Sequence, residues 1–219
     1  MLSIFDVNAV VGTRSAVAPG SFTSTPQLLQ AMDHYGIDRA LVYHAWAREY
    51  DAMAGNYELL SEIAGYDRLY GCFVITPPHP GEFGDPAALV ALMREHNIRA
   101  VRMFPAEGDG RFLIDKPSCG SLFSVLAAHR LPLLLDFGGA VPGDDPVDWQ
   151  AVHWVCGQFP RMPVILMQSG NRVGRKLYPY LQRFPNLYID LSSHFVHRGI
   201  EFICRHYGAG RRTPEPAGR

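Results

Sequence analysis

The sequence predicts an α/β fold built on a parallel sheet, and three observations carry that prediction. Seven short apolar runs alternate with longer amphipathic segments along the 219 residues. Most of the runs are near-continuous in apolar residues, as strands covered on both faces must be. The amphipathic segments end at similar motifs about 22 to 33 residues apart, the length of one strand–helix unit rather than of a helical repeat. Composition agrees with a single sizeable domain: 47% of residues are hydrophobic, 19% are charged, and the formal net charge is -1. That charge balance gives no support to a nucleic-acid or anionic-membrane surface. No apolar run approaches the roughly 18 residues of a membrane span, and no secretory signal opens the chain.

The predicted strands, in order, are Ser3–Asn8, Ala40–His44, Tyr70–Ile75, Ala100–Phe104, Leu133–Phe137, Val164–Gln168 and Leu187–Leu191. Between them, apolar residues at three- and four-residue spacing mark helices: Leu28, Leu29 and Met32; Leu89, Leu92 and Met93; Leu122, Phe123 and Leu126. Thr25-Pro26, Asp85-Pro86 and Asp145-Pro146 read as helix starts, each an N-cap residue before a proline at the first helical position. Gly36, Asn97 and the Phe-Pro pairs at 159–160 and 184–185 read as helix stops. Parallel strands joined by helices suit either an open doubly wound sheet or a (β/α) barrel. No Gly-x-Gly-x-x-Gly turn follows any strand, which weakens a nucleotide-binding reading. Cys72, Cys119, Cys156 and Cys204 are too far apart for a zinc ribbon or redox pair, so they read as reduced thiols of a cytoplasmic protein.

In either architecture the site lies at the carboxyl ends of the strands. Those ends supply Asp6 and Asn8, His44, Thr76, Arg102, Asp136, Gln168, Ser192 and His194. Asp6 or Asp136 suits a general base. Arg102 suits either an oxyanion or carboxylate clamp or a structural partner that offsets the charge of Asp136. His44 and His194 could move protons or serve as hydrogen-bonded structural histidines. His34, His96, His129 and His206 fall at helix C-termini, where the helix dipole favours them.

At these positions the chain resembles the amidohydrolase-related metal-dependent hydrolases, the barrel family that includes some decarboxylases. The resemblance spans roughly residues 2 to 208. It is carried by Ile4-Phe5-Asp6-Val7-Asn8-Ala9, Val101-Arg102-Met103-Phe104-Pro105, Leu131 to Gly139, Val164 to Gly170 and Asn186 to Ser192. It implies a (β/α)8 TIM barrel over residues 1–208, followed by a polar tail at 209–219. It also implies hydrolysis or decarboxylation of a small carboxylated or cyclic molecule. Metal-binding members end the first strand in His-x-His and the fifth and sixth strands in histidines. Here the matching residues are Asp6 and Asn8, Asp136, and Gln168. Oxygen donors suit hard ions, so the resemblance implies either no metal or one weakly held divalent ion, magnesium or manganese before zinc. Tyr207-Gly208 repeats the helix end at Tyr35-Gly36, yet no strand-forming run follows it. The expectation is therefore seven units with the last strand missing, and a homodimer through the uncovered strand edges. A catalytically silent barrel that binds a ligand or a partner subunit is the second reading.

Overall fold

Each of the first strands ends where a proline, a cap or a glycine turns the chain into a helix, and the strand order that results follows the sequence. The computed structural model describes residues 3–16, 22–79, 81–106, 111–138, 145–168, 173–191, 194 and 196–208. Its strands are β1 (Phe5–Val11), β2 (Arg39–His44), β3 (Leu69–Val74), β4 (Ile98–Met103), β5 (Leu133–Leu135), β6 (Val164–Leu166) and β7 (Leu187–Ile189). They lie in the order β1 to β7. The pairs β1–β2, β2–β3, β5–β6 and β6–β7 are parallel. The helices are α1 (Thr25–Tyr35), α2 (Ala45–Glu49), α3 (Ala52–Ile63), α4 (Pro86–Glu95), α5 (Lys116–Ala128), α6 (Trp149–Gln158), α7 (Leu177–Arg183) and α8 (Gly199–Tyr207). This is the strand–helix alternation of the TIM-barrel class, with seven strands among the described residues; the 209–219 tail lies outside them.

The chain divides into two compact units, residues 1–75 with 81–101 and residues 76–80 with 102–219. In the first, Val11 of β1, Ala40 and Val42 of β2, Leu28 and Met32 of α1 and Leu59 of α3 are buried core residues, and α3 packs against β2 and β3. Asn56 of α3 is buried and bridges to β3: its amide donates to the Val74 carbonyl at 2.8 Å and accepts from the Val74 N–H at 2.9 Å. In the second unit Leu122, Phe123 and Leu126 of α5, Val152 and Val155 of α6, and Leu133 to Leu135 and Val164 to Leu166 of β5 and β6 are all buried. Full burial of each such side chain contributes about 1.5–3 kcal/mol. The predicted stripe at Leu89, Leu92 and Met93 turns slightly on α4, whose buried residues are Leu89, Val90 and Met93.

Two of the three predicted helix starts depart from the sequence reading. The N-cap of α1 is Ser24, with Pro26 already in the first turn. Asp145 does not cap α6; Asp148 does, accepting from the N–H groups of Gln150 and Ala151. Asp145 instead accepts from the Val147 N–H, the Trp149 indole and Lys176. Asp51 and Asp115, absent from the expected starts, cap α3 and α5. Asp85 caps α4 as expected, and Gly36 closes α1 at φ 68°. Among the described residues no helix is long and apolar enough to cross a membrane. Cys72, Cys119 and Cys156 are buried free thiols, and Cys204 is exposed.

Candidate active site

Strand β1 sets the first correction. It does not stop at Asn8 but runs on to Val11, and a register shift interrupts its pairing with β2 between Asp6 and Ala9. The Asn8 N–H turns onto the Asp6 carboxylate at 2.9 Å, the local bond that diverts the backbone there. Asp6 pairs with Ala40 near the start of β2, whereas Val11 pairs with His44 at its end. Asp6 and Asn8 therefore sit well before the carboxyl end of their strand. The apolar residues Ala9, Val10 and Val11 continue the strand past them, which is the signal the sequence reading passed over.

His44 does stand at a strand end and is 4% exposed. Its Nδ1 accepts from the Trp46 N–H at 3.2 Å, so the ring proton belongs on Nε2. Burial lowers its pKa below the ordinary histidine value, with Glu62 and Glu58 opposing that shift. Nε2 faces Gly12: a Cβ added there would lie 2.3 Å from it, on a backbone with φ 89°. The ring thus sits where a side chain at residue 12 would be. It is a neutral, enclosed imidazole.

The second unit holds the remaining expected residues. Arg102, near the end of β4, and Asp136, directly after β5, form an ion pair from Nη2 to Oδ2 with both side chains almost fully buried. The Asp136 N–H continues the ladder onto the Met103 carbonyl, which aligns the two strand ends. The other Asp136 oxygen accepts from the Gly138 N–H at 3.0 Å. The Arg102 guanidinium also lies over the Phe104 ring, 4.9 Å from its centroid. Gln168 follows β6 at φ 51°, and its N–H is held at 3.2 Å by the Asp190 carboxylate. Asp190 is buried directly after β7, and its own N–H bonds the Leu166 carbonyl. His194 is buried beyond β7, with Nε2 2.2 Å from where a Cβ on Gly199 would be. Ser192 lies outside the described residues.

Asp190 was missed in the sequence because the run was read as continuing to Leu191. It closes Leu187-Tyr188-Ile189 just as Asp136 closes Leu133-Leu134-Leu135, and that parallel is the signal that finds it. The other missed feature is a pocket of about 340 Å³ directly beyond the ends of β4 and β5. Pro105, Phe112, Leu113, Ile114 and Phe137 make its apolar wall, and Arg111 and Asp148 are its charged lining. A mostly apolar cavity with a few polar groups is the usual form of a small-molecule site.

The metal implied by the resemblance does not fit this donor set. Each oxygen of Asp136 already accepts a hydrogen bond, one of them from a guanidinium, so a fixed cation stands where an ion would bind. Asp6 is turned onto its own strand. Among the described residues no three His, Cys, Asp or Glu side chains come together.

No family profile matches the chain, and no curated protein matches it. Solved structures do. An uncharacterised TIM-barrel protein of Bordetella bronchiseptica aligns over 96% of this chain and 84% of its own, with a TM-score of 0.66 and 16% identity. The 2,6-dihydroxybenzoate decarboxylase of Rhizobium aligns over 96% and 86%, with a TM-score of 0.65 and 16% identity. Dihydroorotase of Campylobacter jejuni aligns over 93% and 58%, with a TM-score of 0.57 and 13% identity. At such identities the likeness establishes the fold alone: this chain has a TIM-barrel type of architecture.

Proposed function

We propose that this barrel is an amidohydrolase-type enzyme, a hydrolase or decarboxylase of a small ring-bearing carboxylated molecule. The observation that carries the reading is the buried Arg102–Asp136 pair at two adjacent strand ends, directly before a mostly apolar pocket. Similar folds in a dihydroxybenzoate decarboxylase and a dihydroorotase support it, because both names denote ring-bearing carboxylated substrates. They also favour it over a catalytically silent barrel.

In this reading the substrate ring packs between Phe112 and Phe137, and its carboxylate meets Arg111. Asp136 is the proton-transfer group, oriented by Arg102 and by the Gly138 N–H. In hydrolysis it takes a proton from water as the hydroxyl adds to the carbonyl carbon, and returns it to the leaving nitrogen. In decarboxylation the proton that Asp136 takes from water goes to the ring carbon as its bond to the carboxyl carbon breaks, and the hydroxide left adds to the carbon dioxide to give bicarbonate. Asp190 and Gln168 shape the neighbouring strand ends, and His194 closes the segment before α8. No step passes through a metal ion. The four free thiols, three of them buried, suit a reducing, cytoplasmic setting.

The experiment is turnover of a panel of hydroxybenzoates and cyclic amides by the purified chain, with carbon dioxide release and oxygen-18 uptake from water separating the two reactions. Asp136→Asn is expected to lower kcat about 10²–10⁴-fold. Arg111→Gln is expected to raise KM with kcat held. Asp6→Asn is the comparison that tests the strand-interior carboxylate. Stoichiometric metal in the purified protein, lost with Asp136→Asn, would refute the metal-free form. Full activity of a folded Asp136→Asn variant would refute the assignment itself.

A further inference from the structure

We infer that the groove between α7 and α8 binds an aromatic molecule carrying a phosphate. The groove measures about 570 Å³, in the range of sites for small ligands, and shares no lining residue with the pocket beyond β4 and β5. Arg175, Arg198 and Arg205 line it, against a single carboxylate, Glu201. None of the three arginines has an ion-pair partner among the described residues. Three guanidiniums facing one acid leave a clear cationic excess in a chain whose formal net charge is -1. The planar guanidinium fork matches phosphate oxygens two at a time.

The second component is aromatic. Tyr178 and Phe202 line the same groove, with ring centroids 5.2 Å apart. The His206 ring lies 4.4 Å from Phe202, so the phenyl ring is held between two neighbours while 41% of Phe202 stays exposed. Phe202 and Arg205 are three residues apart and share one face of α8, and Arg198, directly before the helix, lines the same groove. An exposed ring flanked by arginines stacks a planar ligand on its face and neutralises the attached anion. Arg198 keeps this charge in place at φ 52°, a conformation that glycine would occupy with less strain. The volume and the number of cations suit one aryl phosphate or mononucleotide rather than a strand of nucleic acid.

The test is isothermal titration of the full chain with AMP, phenyl phosphate, adenosine and inorganic phosphate, at low and high salt. AMP and phenyl phosphate are expected to bind at least tenfold more tightly than adenosine or inorganic phosphate, and more weakly as salt rises. Phenyl phosphate equal to AMP would identify a general aryl-phosphate site; AMP tighter would identify a nucleotide site. Arg175→Gln with Arg205→Gln is expected to weaken AMP at least tenfold. Arg198→Gly is expected to weaken it while holding or raising the melting temperature, which separates ligand loss from unfolding. Phe202→Leu is expected to weaken AMP and leave inorganic phosphate unchanged. Undetectable AMP binding at millimolar concentration, equal binding by the double arginine variant, or inorganic phosphate binding as tightly as AMP would overturn the inference.

Discussion

Arg102→Met leaves Asp136 ionised in a place with almost no water. The two side chains are 1% and 2% exposed, so neither charge can be rehydrated without opening the strand ends. Removing one partner of such a pair costs about 3–5 kcal/mol, because the other charge stays buried and uncompensated. Loss of the contact with the Phe104 ring adds to this, by about 0.5–2 kcal/mol. For a chain of this length each kcal/mol lowers Tm by about 2–4 °C, so the pair alone implies a fall of roughly 6–20 °C. Arg102→Met combined with Asp136→Leu removes both charges and is expected to recover most of the loss. Calorimetry and urea midpoints on the two variants make the measurement. A single-variant loss under about 1 kcal/mol, or a double variant worse than the single, would refute the view that burial of paired charge dominates here.

Further outcomes follow from individual contacts. Gly55→Ala places a Cβ 2.0 Å from the Ala47 backbone nitrogen, where α2 and α3 meet, and is expected to cost about 3 kcal/mol in urea unfolding. Asp51→Ala removes the cap that holds the Ala54 N–H at 2.6 Å and is expected to cost about 1 kcal/mol. Burial lowers the pKa of His44, so the native chain binds fewer protons there than the unfolded chain. Stability should fall as pH drops below 6.5, and a His44→Gln variant should lose part of that dependence. Burial pushes the thiols of Cys119 and Cys156 up to about 12, and Cys72 is also enclosed. A disulfide reagent at pH 8 is therefore expected to label Cys204 rapidly and the other three only on unfolding.

The sheet was legible because its strands are short and apolar at nearly every position, a pattern that marks burial on both faces without regard to register. Helix stops at Gly36 and Asn97 were legible because a left-handed residue is chemically distinct. The beginnings of α1 and α6 were not. Ser24 and Thr25, or Asp145 and Asp148, are equivalent as caps in one dimension, and only the surrounding partners choose between them. Asp136 and Arg102 stand out in the sequence because each interrupts an apolar run. Asp6 was misplaced because the apolar run resumes after Asn8, and the bulge that allows this depends on a bond between a backbone N–H and a side chain. The pocket was invisible because its wall is assembled from segments after two different strands.

The two enclosed histidines also tie each of their positions to a glycine, one far off in the chain and one nearby. His44 fills the space that a side chain at residue 12 would need, and His194 does the same at residue 199. Neither glycine can gain even a methyl group while its histidine keeps its place. Each pair therefore drifts as one unit, and a methyl group at either glycine becomes tolerable only after the ring has gone. At residue 12 all three of the nearest atoms are the ring's own, so His44→Ala should relieve the crowding and leave only the backbone cost of φ 89°. At residue 199 the Val196 side chain stands 2.9 Å away as well, so the same exchange recovers less. The four residues amount to two separate locks on redesign, one in each compact unit, with the one at residue 12 easier to open than the one at residue 199.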